Sequence, residues 1–414
     1  MPTRSRVRCW GMVLFLLLNA AMARAESNWP RWRVPAGNGH TSETNLPTTW
    51  TADSCAWKLP MKGLGQSSPI IWGERIFLTT ALEYGNKRIV FCVDRNNGKV
   101  LWEEQVPWAG EPEKNHRMNS HATASCVTDG ETVIAFFGRA GIHAYSVEGK
   151  HLWSRNLGQF VSPWGTSASP VIVDDLVIQN GDADEGAFII GLNKKTGATV
   201  WRTNRPNHRG WSTPVLVKVK DHRELVLNGH AGVTAYDPSG GDQLWFCKSF
   251  SGRGTPTVTP GDGLLYTVNG LSGDIYAITP GGSGDVTGSH MAWHTPRRGG
   301  RDLPSPILIG KHLLVVNMKG VLTCYDSQSG KELWQDRIAG NYSSSPIAVA
   351  GKAYFLNEEG ESVVIQPGKE LNIVSRNPLS TVEGEIFRAS LTPSEGQIFV
   401  RSHRMLYCVG KRRR

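Results

Sequence analysis

CYDSQSGKELW, residues 324–334, reads as apolar strand, Asp, turn, Gly, Lys, apolar residue, Trp. The phrase returns as CVDRNNGKVLW from Cys92, AYSVEGKHLW from Ala144, GLNKKTGATVW from Gly191 and AYDPSGGDQLW from Ala235. Asp and Asn favour turn conformations and Gly supplies positive φ, so each copy is a hairpin whose second strand carries a Trp. Five copies along one chain make a repeat architecture.

Working outward, Trp57, Trp102, Trp153, Trp201, Trp245, Trp293 and Trp334 mark a period of 41 to 51 residues by subtraction. A second marker leads each unit: SSPIIW at Ser67, SASPVIV at Ser167, STPVLV at Ser212, GTPTVT at Gly254, PSPILI at Pro304 and SSPIAV at Ser344. TASCVT at Thr123 and ASLTPS at Ala389 are degenerate forms, which brings the leads to eight. Within the first unit, apolar runs at Pro69–Trp72, Ile76–Thr80, Ile89–Val93 and Val100–Val106 read as four strands. Units of this length without helical periodicity predict an all-β fold, an eight-bladed β-propeller of four-stranded antiparallel blades. The last unit stops after a third strand at Leu406–Val409, whereas Cys55–Leu59 is an outer strand with no inner ones before it. Pairing these two ends closes the ring and leaves no free edge around it.

The Trp set is expected to dock blade on blade, each ring burying roughly 150–250 Å² with its N–H on a backbone partner. The seventh unit has LNIVS from Leu371 and no Trp, so a weaker blade contact is expected there.

The remaining organisation is simple. Residues 1–25 carry Arg4, Arg6 and Arg8, the apolar run Met12–Leu18 and the Ala23-Arg24-Ala25 cleavage pattern of a secretory signal. Residues 26–54 form an N-terminal arm, 55–410 the propeller and 411–414 a basic tail. No later segment is long and apolar enough to span a membrane, and a periplasmic or extracellular monomer is expected. The formal charge of +9 includes four Arg in the signal and four basic residues in the tail, leaving the body near +1 and excluding a nucleic-acid footprint. Cys92, Cys324 and Cys408 share one repeat position. Stacked sheets separate such positions by about 10 Å, beyond disulfide reach, so these read as small buried fillers.

The A/C-x-D-x-x-x-G-K-x-L-W phrase, the leads, and NWPRW from Asn28 with LPTTW from Leu46 resemble the secreted bacterial β-propellers of the pyrroloquinoline-quinone (PQQ) repeat type. HRMNSHATASCVTDGETVIAFFGRAGIHAY from His116 and PGGSGDVTGSHMAW from Pro280 resemble an envelope group of planctomycete-like bacteria within it. The resemblance covers nearly the whole mature chain and implies the fold more than the function. Members include cofactor-free scaffolds, among them the propeller lipoprotein of outer-membrane barrel assembly. They also include quinoprotein dehydrogenases, which use an adjacent-cysteine disulfide, a Trp platform and a Glu/Asn/Asp calcium set beside a catalytic Asp. This chain has no Cys-Cys dipeptide and no motif on which that calcium set can be placed. The expectation is therefore an exported, non-catalytic binding scaffold of the cell envelope without a cofactor. The alternatives are a dehydrogenase using PQQ and calcium, and a strand-capturing assembly factor.

A propeller gathers the loops ahead of each lead around one mouth of its channel. Those loops offer Lys62, Gln66, His116, Asn119, His121, Trp164, Trp211, Arg253, Arg301, Asp302, Asn341, Tyr342 and Arg388. Donors and aromatics dominate, which suits an envelope protein partner or a small anionic or carbohydrate-like ligand. Trp164 and Trp211 fall outside the docking position and are the favoured contact residues. Asp182, Asp184 and Glu185 in NGDADEG, residues 180–186, are the candidate calcium ligands, against a solvated acidic turn. The glycines at Pro280 lead into a strand, so no phosphate loop is expected.

Overall fold

The computed structural model describes residues 28–411 apart from Pro35, Phe250, Ser272 and 298–300, so the expected export signal and most of the basic tail lie outside the described residues. Eight sheets of four antiparallel strands, one of them extended by a short fifth strand, follow one another along the chain, the expected β-propeller. Blade 1 runs Ile70–Trp72, Arg75–Leu82, Lys87–Asp94 and Val100–Gln105 from the axis outward, and blades 2 to 7 repeat that order. Blade 8 takes Thr392–Ser394, Gln397–Arg401 and Met405–Val409 from the C-terminus and its outer strand, Cys55–Pro60, from the N-terminus. Trp57 pairs with Cys408 and Lys58 with Tyr407, so the ring closes where the two incomplete ends predicted.

At the circumference, six tryptophans donate their indole N–H to a turn carbonyl of the following blade. Trp57 reaches Arg95 O at 2.7 Å, Trp102 Val147 O at 3.0 Å and Trp153 Lys194 O at 2.8 Å. Trp201 reaches Pro238 O at 3.2 Å, Trp293 Ser327 O at 2.9 Å and Trp334 Gly368 O at 3.0 Å. This geometry also explains the glycine in the repeated turn: Gly98 has φ +74°, and a Cβ there would lie 2.7 Å from the Trp57 ring. Trp245 departs from the pattern, because its N–H goes to the buried Glu224 carboxylate of its own blade at 2.8 Å. Over it lies a segment from blade 5, in which Gly284–Asp285 pairs in parallel with Trp245 and Phe246 before one helical turn at Thr287–His290. The PGGSGDVTG stretch is thus a fifth strand on blade 4 and a short turn of helix ahead of the strand its glycines were expected to enter.

Blade 7, the one without a tryptophan, is bridged instead by the N-terminal arm. Thr48 O accepts from Asn377 Nδ2 at 3.1 Å, Trp50 N–H donates to Asn377 Oδ1 at 2.9 Å, and the Trp50 ring stacks 6.4 Å from Tyr354. Further back, Glu43 accepts the Gly396 N–H of blade 8 at 2.7 Å. The arm thus spans the joint that lacks a docking ring. Among the described residues all six cysteines are free, and burial pushes the Cys92, Cys324 and Cys408 thiols up to about 12.

Candidate functional site

Each lead enters its blade beside the axis and places one hydroxyl there: Ser68, Ser125, Ser169, Thr213, Thr257, Ser305, Ser345 and Ser390. The backbone N–H of each donates to the hydroxyl oxygen of the next at 2.8 to 3.1 Å, and Ser390 N–H returns to Ser68 Oγ. Eight hydrogen bonds therefore form one closed circle around the channel. The residues are 1–6 % exposed and all line the same cavity, of ≈ 220 Å³. Each hydroxyl oxygen spends a lone pair on its neighbour's amide, and among the described residues none of these hydroxyls donates to a protein acceptor.

Extended chain repeats its facing every two residues, so the positions two before the ring face the channel as well. They are Gln66, Thr123, Ser167, Trp211, Thr255, Leu303, Ser343 and Arg388, and all eight line the cavity. Two further residues out, Arg253 and Arg301 stand at the mouth with His116, Met118, Asn119, Trp164 and Met318 from neighbouring loops. Trp164 is the centre of this cluster. His116 stacks on it at 4.3 Å, and the Arg253 and Arg209 guanidinium carbons lie 5.0 and 5.7 Å from its ring centroid. The Trp211 indole N–H donates to Gly165 O at 2.8 Å, and Asn119 Nδ2 donates to Trp164 O at 2.9 Å, so the aromatic wall is braced from behind.

The mouth is positive. Arg388 is paired with Glu358 at 3.1 Å, whereas among the described residues neither Arg253 nor Arg301 has an ion-pair partner. Burial first, then the like charges of Arg301 and Arg209, hold Arg253 below the usual guanidinium range. His116 is lowered by burial and then by Arg117, Arg301, Arg388 and Arg253, which favours its neutral form.

The other end of the channel is closed by the arm. Trp29 pairs with Ile71 of blade 1, Pro30 O takes the Thr128 N–H of blade 2, and Thr41 N–H reaches Ala348 O of blade 7. Between them Trp32 enters the cavity and donates to Ser390 Oγ at 3.3 Å. Behind it the buried Arg33 holds Pro306 O at 2.7 Å, Thr259 Oγ1 at 3.3 Å and Pro346 O at 3.4 Å, tying blades 5, 6 and 7 together. Its partners are all neutral, and burial lowers it to about 9. The channel is thus a cup with a hydroxyl wall, an indole floor backed by a buried cation, and a cationic aromatic mouth.

Of the residues singled out from sequence, Gln66, His116, Asn119, Trp164, Trp211, Arg253, Arg301 and Arg388 meet in this cup. Tyr342 does not. It is fully buried between blades 6 and 7 with its hydroxyl on Ile338 O at 3.3 Å, because it stands an odd number of residues from Ser345 and faces away from the axis. Asp302 is likewise buried, bonded to Arg297 at 2.8 Å, and burial raises it to about 6 against the pull of that arginine. His121 turns its Nε2 to Glu113 O, Lys62 pairs with Glu103, and Asn341 binds Glu359, all off the channel. In the NGDADEG loop, Asp182 is bonded to Arg205 and Asp184 to Arg209, each at 2.6 Å, and Glu185 is exposed. No group of three or more His, Cys, Asp or Glu is placed to hold a metal ion among the described residues.

The hydroxyl ring, Trp32 and Arg33 were missed from sequence. The ring had a signal, a Ser or Thr in every lead. In the fifth unit, however, the Thr255-Pro256 pair that aligns by eye stands two residues ahead of the ring member, Thr257.

The sequence profile described as outer membrane protein assembly factor BamB matches residues 49–181, 185–280 and 271–366. BamB of Moranella endobia (strain PCIT) is 26 % identical over 243 residues, covering 57 % of this chain and 55 % of that protein. The chain spans about half the length of the curated relatives it matches. Among solved structures, BamB from Moraxella catarrhalis superposes with a TM-score of 0.62 at 15 % identity, over 87 % of this chain and 98 % of that one. A europium-containing methanol dehydrogenase superposes with a TM-score of 0.72 at 11 % identity, over 95 % of this chain and all of that one. At such identities the superpositions show the fold alone. The profile match covers well over half of the chain, which therefore belongs to the BamB family of PQQ-like-repeat β-propellers.

Proposed function

We propose that this chain is an exported, non-catalytic binding scaffold of the bacterial cell envelope that holds an acidic segment of a partner protein at the mouth of its channel. The observation that carries this reading is the mouth itself, where Arg253 and Arg301, without an ion-pair partner among the described residues, stand beside Trp164 and Trp211. Arg and Trp on a rigid frame are the side chains that dominate protein interfaces, and a like-charged cluster attracts a chain of opposite sign. The envelope setting is supported by the relatives, which are outer membrane protein assembly factors.

The cofactor of the dehydrogenase-like neighbours does not fit. A calcium or lanthanide ion needs several hard oxygen ligands, yet no Asp or Glu lines the cup and no cysteine approaches it. No redox step is assigned.

Fluorescence anisotropy with a labelled Asp/Glu-rich peptide and a Gly/Ser-rich control tests the reading. The acidic peptide should bind, weaken as salt rises, and lose at least tenfold in affinity in Arg253→Glu/Arg301→Glu. The double variant should lose no more than about 1 kcal/mol of stability, the Arg253 contact with the Trp164 ring, since among the described residues neither side chain has an ion-pair partner to lose. Equal affinity for both peptides, or an unchanged affinity in the variant, contradicts the proposal.

A further inference from the structure

We infer that the cup below the mouth is a binding site for a small oxyanion, such as a phosphate or a compact polycarboxylate, whose oxygens accept from the ring hydroxyls while Arg253 and Arg301 balance its charge. This occupant is distinct from the partner segment proposed above, although both use the positive mouth.

The first observation is the direction of the hydrogen bonds. Every ring oxygen accepts an amide N–H from its neighbour, so its proton is the group left over, and eight such protons surround one cavity. A buried donor left unsatisfied costs about 1–3 kcal/mol, so a site with several of them selects for whatever can accept. The second observation is the chemistry of the rest of the lining. It adds guanidiniums and amides, and contains no Asp or Glu. Water can bridge these groups, since each hydroxyl oxygen keeps a second lone pair, but it leaves the charge of Arg253 and Arg301 unbalanced. A neutral sugar leaves that charge unbalanced as well. An oxyanion brings acceptors only.

Third, the buried Arg33 behind the Trp32 floor has only neutral partners. Its charge therefore adds to the potential in the cup. A blind, low-dielectric pocket concentrates that field on anything entering through the mouth. The cavity of ≈ 220 Å³ has room for a small anion with a few waters, not for a folded segment of protein.

Isothermal titration calorimetry on the purified protein, with inorganic phosphate and with citrate as separate titrants, tests the inference. Saturable one-to-one binding of at least one of them is expected, and the relative affinities assign the anion class. Ser167→Phe fills the cup directly above the ring. Ser167 is half-buried and its hydroxyl makes no hydrogen bond among the described residues, so the ring itself is left intact. This variant should bind the anion at least tenfold more weakly while still binding the acidic peptide, which separates the two occupants. If Ser167→Phe does not fold, the readout is the thermal midpoint of the unsubstituted protein in phosphate against sodium chloride of equal ionic strength, and phosphate should raise it further. No saturable heat with either anion, undiminished binding in folded Ser167→Phe, or equal midpoints in phosphate and chloride overturns the inference.

Discussion

Two sets of repeat residues hold the blades together, the hydroxyls at the axis and the tryptophans at the circumference, and they differ in how they tolerate interruption. The axial circle is complete. Even blades 2, 5 and 8, whose leads have Cys126, Val258 and Leu391 where the other five have Pro, supply Ser125, Thr257 and Ser390. The outer circle is broken twice, at Trp245, which turns to Glu224, and at blade 7, which has no Trp and is bridged by the arm. The reason lies in the form of the links. Each Trp dock is a private contact between two blades, so a local substitute such as an inserted strand or a crossing arm can replace it. Each axial hydroxyl serves its neighbour's amide while its own amide depends on the next hydroxyl, and there is no space at the axis for a replacement segment.

The contrast can be broken most forcefully at the closing joint. Trp57→Ala empties the socket formed by Gly98 and Arg95 O and removes the outer anchor between the last blade and the first. A buried Trp→Ala change costs about 3–5 kcal/mol, and urea unfolding should show a loss in that range. A loss under 1 kcal/mol would mean that closure rests on strand pairing alone. A smaller effect is expected at the axis. Ser169→Ala leaves the Ser125 N–H buried without its partner, an expected cost of about 1–3 kcal/mol by the same measurement, and Ser169→Thr, which keeps the oxygen, should restore most of it. If Ala and Thr behave alike, the circle is a by-product of blade packing and not a link in it.

Much of the frame was legible before any coordinates, because Asp, Gly and Trp at fixed spacing have few other uses. The order of the strands, the number of blades and the partnership of Cys55–Pro60 with Met405–Val409 all follow from that spacing. The site was half legible. Trp211 and Arg388 stand two residues before their ring members and face the cup; Tyr342 and Asp302 stand three before theirs and face away. Parity decides the matter, but it can be applied only once the ring position in each lead is known, and the misplaced Thr255-Pro256 pair shows how easily that reference slips. Seven bonds of the circle link an amide to a side chain some 40 to 57 residues away, by subtraction between Ser305 and Ser345 and between Ser68 and Ser125, and the closing bond from Ser390 to Ser68 spans 322. Nothing local records such a bond. Trp32 and Arg33 were hidden for a similar reason: NWPRW looks like an arm motif, and only the path of the arm beneath the blades brings an indole to the floor of the channel.

The channel as described is a one-ended, donor-lined, positive cup. Anomalous diffraction from crystals soaked in selenate tests it most directly, because the anion reports its own position. A selenium peak on the channel axis, above Trp32 and within hydrogen-bonding distance of the ring hydroxyls, is the predicted result. A channel open at both ends, or selenium found only at arginines on the outer surface, would contradict it.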